Sequence, residues 1–418
     1  MRDPAVRVAE ERPRLVKRSF LLLAGAQAAL LGALGVYAAF GPLATSDLTG
    51  RRSGAAILFG LYYLAAAVGA VTAGRLMDRA GRRPGLAAGY LLVIASGGVA
   101  FLAVAAGAYA LLLASSMVLG AGVGAALLGR GAVADMYPPE RRGRAVGLLV
   151  LAGTAGAVGG PFIGSWLHAS VRGAASPLAA PFLAIPVLGA AALGLVLALR
   201  PDPRDLAVDG GPSGPRRRPA EILRRHPALV AAVTIGIVQA VMVTFMSVIP
   251  VAVHDHGASE LTVSLVVSLH LGAMFAPSPF FGVLLDRVGR RSGLVAGVLV
   301  TGAGVILGST VAGVVPQSLG LVLIGAGWSA AYVSSTAVVS DLAAPAERGG
   351  ALGLLDLVAA VAAGVGVLAS AGLLELIELR GVGMVALALL VVPLGLLTRL
   401  REAAPGRWES EPDVVPAR

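Results

Sequence analysis

Residues 74–83 read GRLMDRAGRR, and residues 282–291 read GVLLDRVGRR. Most positions are identical between these two copies, which lie 208 residues apart in a chain of 418 residues. A second pair of stretches, 135–147 and 341–353, is related at an offset of 206 residues. Because both offsets are close to half the chain length, the sequence predicts two related halves with the same order of structural elements.

The sequence around these repeats is strongly apolar. Apolar residues make up 57% of the chain and charged residues 13%, and the mean hydropathy is +0.84. A soluble globular chain is nearer a quarter charged, so this composition excludes a soluble multidomain protein and indicates an integral membrane protein. At about 20 apolar residues per transmembrane helix, twelve helices need roughly 240 residues. That number fits in this chain with room for short loops, two tails and a linker.

The apolar stretches predict an all-α integral membrane fold, with twelve transmembrane helices in two pseudo-symmetric six-helix bundles. The first six spans are predicted at 19–42, 54–74, 85–106, 108–130, 144–167 and 178–199. The other six are predicted at 228–252, 261–284, 294–314, 318–340, 351–374 and 382–398. The chain is thus divided into an N-terminal tail at 1–18, a first bundle at 19–199, a Pro- and Gly-rich linker at 200–227, a second bundle at 228–400 and a C-terminal tail at 401–418.

The net charge of +10 does not indicate a nucleic-acid-binding protein, because the arginines are grouped in short clusters between the apolar stretches. One side of the predicted membrane protein holds only four basic residues, Arg51, Arg52, Arg172 and Arg380. The positive-inside rule therefore predicts a multi-pass protein of the plasma membrane (the bacterial inner membrane) with both termini in the cytoplasm. The chain has no cysteine, which excludes disulfides and thiolate metal sites. We expect a monomer in the lipid bilayer, with no cofactor, no metal and no enzyme activity.

The repeated decapeptide resembles the G-x-x-x-D-R-x-G-R-R signature between spans 2 and 3 of the major facilitator superfamily. Its residues are Gly74, Asp78, Arg79, Gly81 and Arg82 in the first copy, and Asp286, Arg287, Gly289 and Arg290 in the second. The resemblance covers nearly the whole chain. It implies that Asp78, Arg79 and Arg82 latch the two halves together in the outward-facing state, since a carboxylate at a helix end can accept from an arginine or face the N-terminus of a partner helix.

A second pattern lies in span 5, where five residues follow the spacing G-x8-G-x3-G-P-x2-G: Gly147, Gly156, Gly160, Pro161 and Gly164. The pattern resembles the antiporter motif of drug/proton exchangers in the same superfamily. It implies a smooth, proline-kinked helix that packs closely on span 8 and seals the pathway against ion leak. The alternative interpretation is small-residue packing around a proline kink, with no role in exchange.

Two features typical of these exchangers are missing from the sequence. Residues 116–120 read SMVLG where the family often has R-x-x-Q-G in span 4. Span 1 contains no acidic residue between Phe20 and Phe40. The usual proton-carrying residues are therefore absent.

Ionisable residues at membrane depth are costly and indicate function. His270 is predicted about 13 Å into span 8 and Asp356 about 9 Å into span 11, at a rise of 1.5 Å per residue. Because imidazole titrates near neutral pH, we predict that His270 responds to protons, alone or paired with an acid such as Asp356. The alternative is a neutral His270 bonded to a carbonyl group, with Asp356 as an anchor at the start of its helix.

Six further residues in spans 1, 7 and 10 are candidates for contact with a substrate, although ordinary packing is an equal interpretation: Gln27, Tyr37, Gln239, Met242, Trp328 and Tyr332. The sequence as a whole predicts a secondary active transporter that exports small apolar or amphipathic molecules in exchange for protons by alternating access. The alternative is a proton-coupled importer of a small nutrient or metabolite. A membrane enzyme or receptor is disfavoured because the loops are too short to hold a second domain.

Overall fold

The computed structural model describes residues 4–51, 53–171, 176–208, 217–344, 347–404 and 407–408. Within these residues, eleven helical segments are long and apolar enough to cross a membrane. The last segment, Arg348–Arg399, is 52 residues long and contains two spans, because Glu378 has φ 55° and ψ −178° and interrupts the helix. The predicted all-α fold with twelve transmembrane helices is therefore confirmed.

The first half contains spans 1 to 6. Span 1 is the helix Pro4–Thr49, span 2 is Ser53–Ala80, span 3 is Arg82–Ala105, span 4 is Tyr109–Ala126 followed by Gly129–Met136, span 5 is Pro139–Ser170, and span 6 is the 3-10 helix Pro177–Leu183 followed by Ala184–Leu197. The helix of span 1 begins well before the predicted boundary at residue 19, so part of the predicted N-terminal tail is helical.

The second half contains spans 7 to 12. Span 7 is His226–Asp255, span 8 is Glu260–Phe275 followed by Ser278–Val288, span 9 is Arg290–Thr310, span 10 is Val314–Leu342, and spans 11 and 12 are the parts of Arg348–Arg399 before and after Glu378. The linker carries a 3-10 turn at Pro203–Leu206 and a short helix at Pro219–Leu223. After span 12, the strands Glu402–Ala404 and Arg407–Trp408 pair antiparallel.

Some predicted features lie outside the described residues. They are the loop arginines Arg52 and Arg172, linker residues 209–216, the side chain of Asp286, and the chain ends at 1–3 and 409–418.

The two ends of the helix bundle, which lie on opposite sides of the predicted membrane, differ in charge. We name them accordingly. The arginine-rich face is the end where span 1 begins, where the linker lies and where span 12 ends. The arginine-poor face is the opposite end. On the arginine-rich face the linker is attached to the first half, since the backbone N–H of Val208 donates to the carbonyl of Asp135 at 2.9 Å.

Glycines allow the helices of each half to approach closely. A Cβ on Gly124 of span 4 would lie 2.0 Å from the carbonyl oxygen of Ala66 in span 2, and one on Gly120 would lie 2.1 Å from that of Tyr62. In the second half, a Cβ on Gly327 of span 10 would lie 2.5 Å from the backbone nitrogen of Thr301 in span 9. Membrane helices gain their association from such backbone-to-backbone packing, because lipid tails supply no hydrophobic drive between them.

Candidate transport pathway

A cluster of charged and polar side chains joins the two halves within the predicted membrane spans. One guanidinium nitrogen of Arg130, in span 4, donates to the Asp356 carboxylate of span 11 at 3.0 Å, and another donates to the Tyr332 hydroxyl of span 10 at 3.0 Å. The Tyr332 hydroxyl donates in turn to the second oxygen of Asp356 at 2.9 Å. Each side chain of this Arg130 cluster therefore bonds to both of the others, and the ring of bonds closes across the interface between the halves.

The depth of the Arg130 cluster makes it a functional candidate. Arg130 lies six residues before the end of span 4 and Asp356 eight residues after the start of span 11, which places them about 9 Å and about 12 Å from those helix ends. A charge at membrane depth is stable only with a partner or with water. The side chains of Arg130 and Asp356 keep 28% and 35% of their surface exposed, so neither is sealed inside the protein.

Sequence reasoning missed Arg130. Arg130 is the last residue of the predicted span 108–130, and an arginine at a span end is expected at the membrane surface. Span 4 in fact continues to Met136, so Arg130 lies more than a turn inside the helix. The available signal was the segment GAVADM after Arg130, which remains apolar enough to extend the span.

Aromatic side chains surround the Arg130 cluster in the second half. The rings of Trp328 and Tyr332, one helical turn apart on span 10, are stacked with centroids 4.9 Å apart and an interplanar angle of 12°. Phe275 of span 8 meets Trp328 edge-on, with centroids 6.0 Å apart. The indole N–H of Trp328 donates to the Gln239 side chain of span 7. Three of the six predicted substrate-contact candidates, namely Gln239, Trp328 and Tyr332, thus contact one another in a row, and Tyr332 connects the row to Asp356.

The other three candidates make no described hydrogen bond to the Arg130 cluster. Tyr37 of span 1 is buried and donates to the Ser116 hydroxyl at 3.1 Å, while Ser116 donates to the carbonyl of Leu58 at 2.7 Å. Ser116 stands where the family often has an arginine, and here it is enclosed by spans 1, 2 and 4. Gln27 and Met242 are also buried, with 4% and 1% of their surfaces exposed.

His270 lies between spans 8 and 10 rather than beside Asp356. It is fully buried, and its Nδ1 is 2.7 Å from the carbonyl oxygen of Leu321. A Cβ on Gly325 would lie 2.8 Å from the same ring nitrogen, so span 10 closely covers the imidazole. The Nε2 atom has no hydrogen-bond partner among the described residues. The described geometry pairs Asp356 with Arg130, and it provides no contact between Asp356 and His270.

The glycines of span 5 face span 1, where the expectation from the motif was span 8. A Cβ on Gly156 would lie 1.8 Å from the carbonyl oxygen of Ala28, and one on Gly160 would lie 2.1 Å from that of Gly32. Gly147 and Gly159 have open space at the corresponding position. Other residues of span 5 contact span 8, including Val158, whose carbonyl accepts from the Ser268 hydroxyl at 2.8 Å. The physical reason is that Gly156 and Gly160 lie where the backbones of spans 5 and 1 touch, and only a residue without a Cβ fits there.

The repeated decapeptide forms the same local structure in both halves. In the first copy, the Asp202 carboxylate accepts from the backbone N–H groups of Arg82 and Arg83 at 3.1 and 2.9 Å, at the start of span 3. The Arg82 side chain pairs with Asp135 at 2.8 Å. A carboxylate at a helix N-terminus satisfies free N–H groups and complements the helix dipole.

In the second copy, Glu402 accepts from the backbone N–H groups of Arg290 and Arg291, each at 2.9 Å, and Arg290 pairs with Asp341 at 3.0 Å. Gly81 and Gly289 have φ values of 98° and 89°, which favour glycine. A Cβ at these positions would lie 2.8 Å from Asp202 and 2.7 Å from Glu402. Both turns therefore require glycine for conformation and for space.

The cross-half latch that the motif implies for Asp78 is not formed in this arrangement of the halves. The Asp78 side chain is 76% exposed, and its described partner is Arg82 at 3.9 Å in the same half. We therefore expect Asp202→Asn to lower the stability of the protein by about 1 kcal/mol through loss of the helix cap, and Asp78→Asn to leave it unchanged. Thermal unfolding in detergent measures both variants. An equal loss for the two would contradict the assignment of the cap to Asp202.

On the arginine-poor face the halves also meet. Ser53 of span 2 donates to Glu375 of span 11 at 2.5 Å, and Ser165 of span 5 donates to the carbonyl of Glu260 at 3.2 Å. His168 Nε2 lies 3.7 Å from the Glu260 carboxylate. A cavity of about 500 Å³ lies here between the halves, and its lining includes Asp47, His168 and Glu260. The contacts between Ser53 and Glu375 and between Ser165 and Glu260 must break for this end of the pathway to open.

The linker is fastened to the second half by one arginine. The Arg217 guanidinium donates to both carboxylate oxygens of Glu347, the closer at 2.6 Å, and also to the carbonyl of Leu342 at 3.2 Å. The Glu347 carboxylate also accepts from the backbone N–H groups of Arg217 and Ala344. The hydrogen bonds from Arg217, followed by the bond from Ala344, lower the pKa of Glu347 to about 2.

The lowered pKa of Glu347 determines in which direction the stability of the protein changes with pH. A carboxylate with a depressed pKa contributes stability that is present above its pKa in the unfolded chain, about 4.3, and that is lost as the pH falls toward about 2. The difference in melting temperature between the wild type and Glu347→Gln should therefore be constant from about pH 5 to 8 and shrink below about pH 4. Glu221→Gln, in the same linker, is the matched control. A difference that grows on acidification would contradict the pairing.

The comparisons with known proteins agree with this architecture. The sequence profile of the Major Facilitator Superfamily matches residues 21–254 and 237–415. Two Bacillus subtilis (strain 168) proteins, named as uncharacterized MFS-type transporters YddS and YdeG, are 31% and 30% identical. The YddS alignment covers 85% of this chain and 85% of that protein, and the YdeG alignment covers 94% of each.

A more distant relative is the riboflavin transporter RfnT of Brucella anthropi (strain ATCC 49188). It is 28% identical over 82% of this chain and 85% of its own length. Among solved structures, the human organic anion transporter MFSD10 (TETRAN) matches with a TM-score of 0.59 at 18% identity, over 92% of this chain and 99% of that chain. This last similarity establishes the shared fold only.

Two six-helix halves, together with relatives named as transporters, define the class: a multi-pass membrane transporter rather than an enzyme. The profile match over nearly the full length identifies it further: the chain belongs to the major facilitator superfamily.

Proposed function

We propose that this transporter exports small apolar or amphipathic molecules in exchange for protons, with its arginine-rich face in the cytoplasm. The observation that carries the proposal is the Arg130 cluster, a pair of opposite charges shared between the two halves at membrane depth. Asp356, one of the two residues that the sequence analysis suggested for proton coupling, is its titratable member.

The chemistry of the Arg130 cluster links protonation to movement. Arginine stays charged at all relevant pH values, so a proton that enters the cluster binds the Asp356 carboxylate. Protonation removes the attraction between span 4 and span 11 and leaves the Arg130 charge in need of water. A bound proton therefore favours the arrangement in which the halves separate around Arg130, as any ligand shifts an equilibrium toward the state that binds it better.

The direction that we propose rests on the contacts at the arginine-poor end and on the position of the Arg130 cluster. Contacts close the arginine-poor end in this arrangement, and Asp356 is paired with Arg130 as a carboxylate would be. In an exchanger, protonation of Asp356 separates the halves around Arg130, the proton is then released toward the arginine-rich face, and substrate is loaded from the same side. The antiporter-like glycine pattern of span 5 supports exchange. The aromatic group of Phe275, Trp328 and Tyr332 supports an apolar or amphipathic substrate.

The alternative is proton-coupled import of a small nutrient, and the name of the RfnT relative, a riboflavin transporter, favours it. Proteoliposomes holding the purified protein distinguish the two, because a pH gradient drives the substrates of an exchanger and of a cotransporter in opposite directions. We expect dyes from a panel of amphipathic probes to accumulate when the lumen is acidic. Accumulation of a probe or of riboflavin only when the outside is acidic would overturn the proposed exchange.

The same vesicles decide between Asp356 and His270 as the proton-responsive residue. His270→Gln keeps hydrogen bonding but cannot titrate. Because the imidazole is enclosed between spans 8 and 10, we expect this variant to retain accumulation driven by the pH gradient. If accumulation is lost while binding of the probe remains, His270 carries the proton and the role proposed for Asp356 is wrong.

A further inference from the structure

The start of span 1 carries cations and leucines on one face. Arg14, Lys17, Arg18, Leu21 and Leu22 follow the i, i+3, i+4, i+7, i+8 spacing, which puts side chains on one side of an α-helix. The three cations come first and the two leucines follow in the direction of the membrane interior. The face thus changes from charged to apolar at the depth where a bilayer changes from headgroups to acyl chains.

The same five residues line a surface groove of about 450 Å³. Arg14, Lys17 and Arg18 are exposed, and Leu21 exposes 58% of its surface. The opposite side of the helix is occupied, since Val16, Ser19 and Leu23 are buried. The groove therefore faces outward from the bundle.

Contacts with the rest of the first half hold this part of the helix in place. Arg12 donates to the carbonyls of Met136 and Leu206 at 3.4 and 3.0 Å, and Arg18 donates to the carbonyl of Ala198 at 3.4 Å. These carbonyl groups are uncharged, so they do not neutralise the cations. No described carboxylate forms an ion pair with Arg14, Lys17 or Arg18.

Lys17 is also unusual in composition, because it is the only lysine among the 33 basic residues of the chain. A lysine ammonium is a compact point charge that binds a phosphate group from any direction, whereas the guanidinium of arginine is a planar fork. Two arginines flanking one lysine within five positions form a concentrated positive site at the arginine-rich end.

We propose that this groove binds one anionic phospholipid of the surrounding leaflet. The phosphate group lies among Arg14, Lys17 and Arg18, and an acyl chain lies along Leu21 and Leu22. The cations attract the phosphate, as juxtamembrane basic clusters attract anionic lipid. Exposed Leu21 and partly buried Leu22 supply an apolar contact, which a lipid acyl chain would use and a free phosphate group would not. The inference is independent of substrate and direction of transport.

Native mass spectrometry of the purified full-length protein tests this site, with phosphatidylglycerol and phosphatidylcholine as the probes. We expect one phosphatidylglycerol to bind more tightly than the rest, and Lys17→Gln/Arg18→Gln to weaken that first binding step by about tenfold or more. Leu21→Gln keeps every charge and should also weaken it. Arg224→Gln/Arg225→Gln removes two exposed cations at the start of span 7 and serves as the matched control, with no change expected.

Three results would overturn the proposal. The first is equal phosphatidylglycerol binding by the wild type and Lys17→Gln/Arg18→Gln. The second is an equal loss in the Arg224→Gln/Arg225→Gln control, which would indicate general attraction to positive charge. The third is displacement of the bound lipid by millimolar glycerol phosphate with no effect of Leu21→Gln, which would make the groove a phosphate site. Circular dichroism and thermal unfolding verify that each variant is folded.

Discussion

Asp356→Asn is expected to reduce proton-driven transport to the background of empty vesicles. The variant keeps the size of the side chain but removes the only titratable carboxylate of the Arg130 cluster, and it leaves the Arg130 charge unpaired at membrane depth. Breaking a buried ion pair by removing one partner costs about 3 to 5 kcal/mol. Because both side chains are partly exposed here, we expect a loss of stability of about 2 kcal/mol.

A double variant separates stability from coupling. Arg130→Gln/Asp356→Asn removes both charges, so most of the lost stability should return while gradient-driven accumulation stays absent. Substrate binding, measured without a gradient, should be retained more fully than transport. Tyr332→Phe is the matched control, since it keeps the stacked ring beside Trp328 and removes only a hydroxyl group. It should slow transport several-fold at most. Accumulation by the double variant against a gradient would exclude Asp356 as the coupling residue.

Gly156→Ala is expected to prevent correct assembly of the first half. The added Cβ would lie 1.8 Å from the carbonyl oxygen of Ala28 and 2.7 Å from its carbon, and no side-chain rotation relieves a contact with backbone atoms. Spans 1 and 5 must therefore separate along the interface where they pack. Overpacking of this kind costs about 1 to 3 kcal/mol or more, so both the yield of folded protein and transport should fall sharply. Gly160→Ala should behave in the same way.

Two glycines of the same helix are controls for this prediction. Gly147, a member of the sequence motif, and Gly159, the non-motif residue next to Gly160, both have open space where a Cβ would be added. Gly147→Ala and Gly159→Ala should fold and transport like the wild type. Expression is followed by fluorescence-detected size exclusion, and transport in vesicles. A folded, active Gly156→Ala protein would show that spans 1 and 5 are not this close, and a defect in Gly147→Ala would mean that the motif acts through something other than packing.

Much of the architecture follows from the sequence by itself. Hydropathy is a property of local composition, so it predicts the twelve spans whatever the helices later contact. The repeat of GRLMDRAGRR as GVLLDRVGRR predicts two equivalent halves, and the structure has equivalent caps at Asp202 and Glu402. The carboxylates that form those caps were not predicted. They come from the linker and from beyond span 12, and no pattern near residues 82 and 290 points to them.

The partners across the two halves were decided by the tertiary structure. Arg130 and Asp356 are 226 residues apart in sequence. The sequence around either residue does not indicate that the other is its partner. The glycines of span 5 predicted a close helix contact, yet only the packing determined that span 1 is the partner. The sequence predicts His270 at membrane depth, and the structure shows a fully buried side chain whose neighbours are Leu321 and Gly325. Periodicity defines the face of a single helix, and the choice of which faces meet depends on the fit between distant helices.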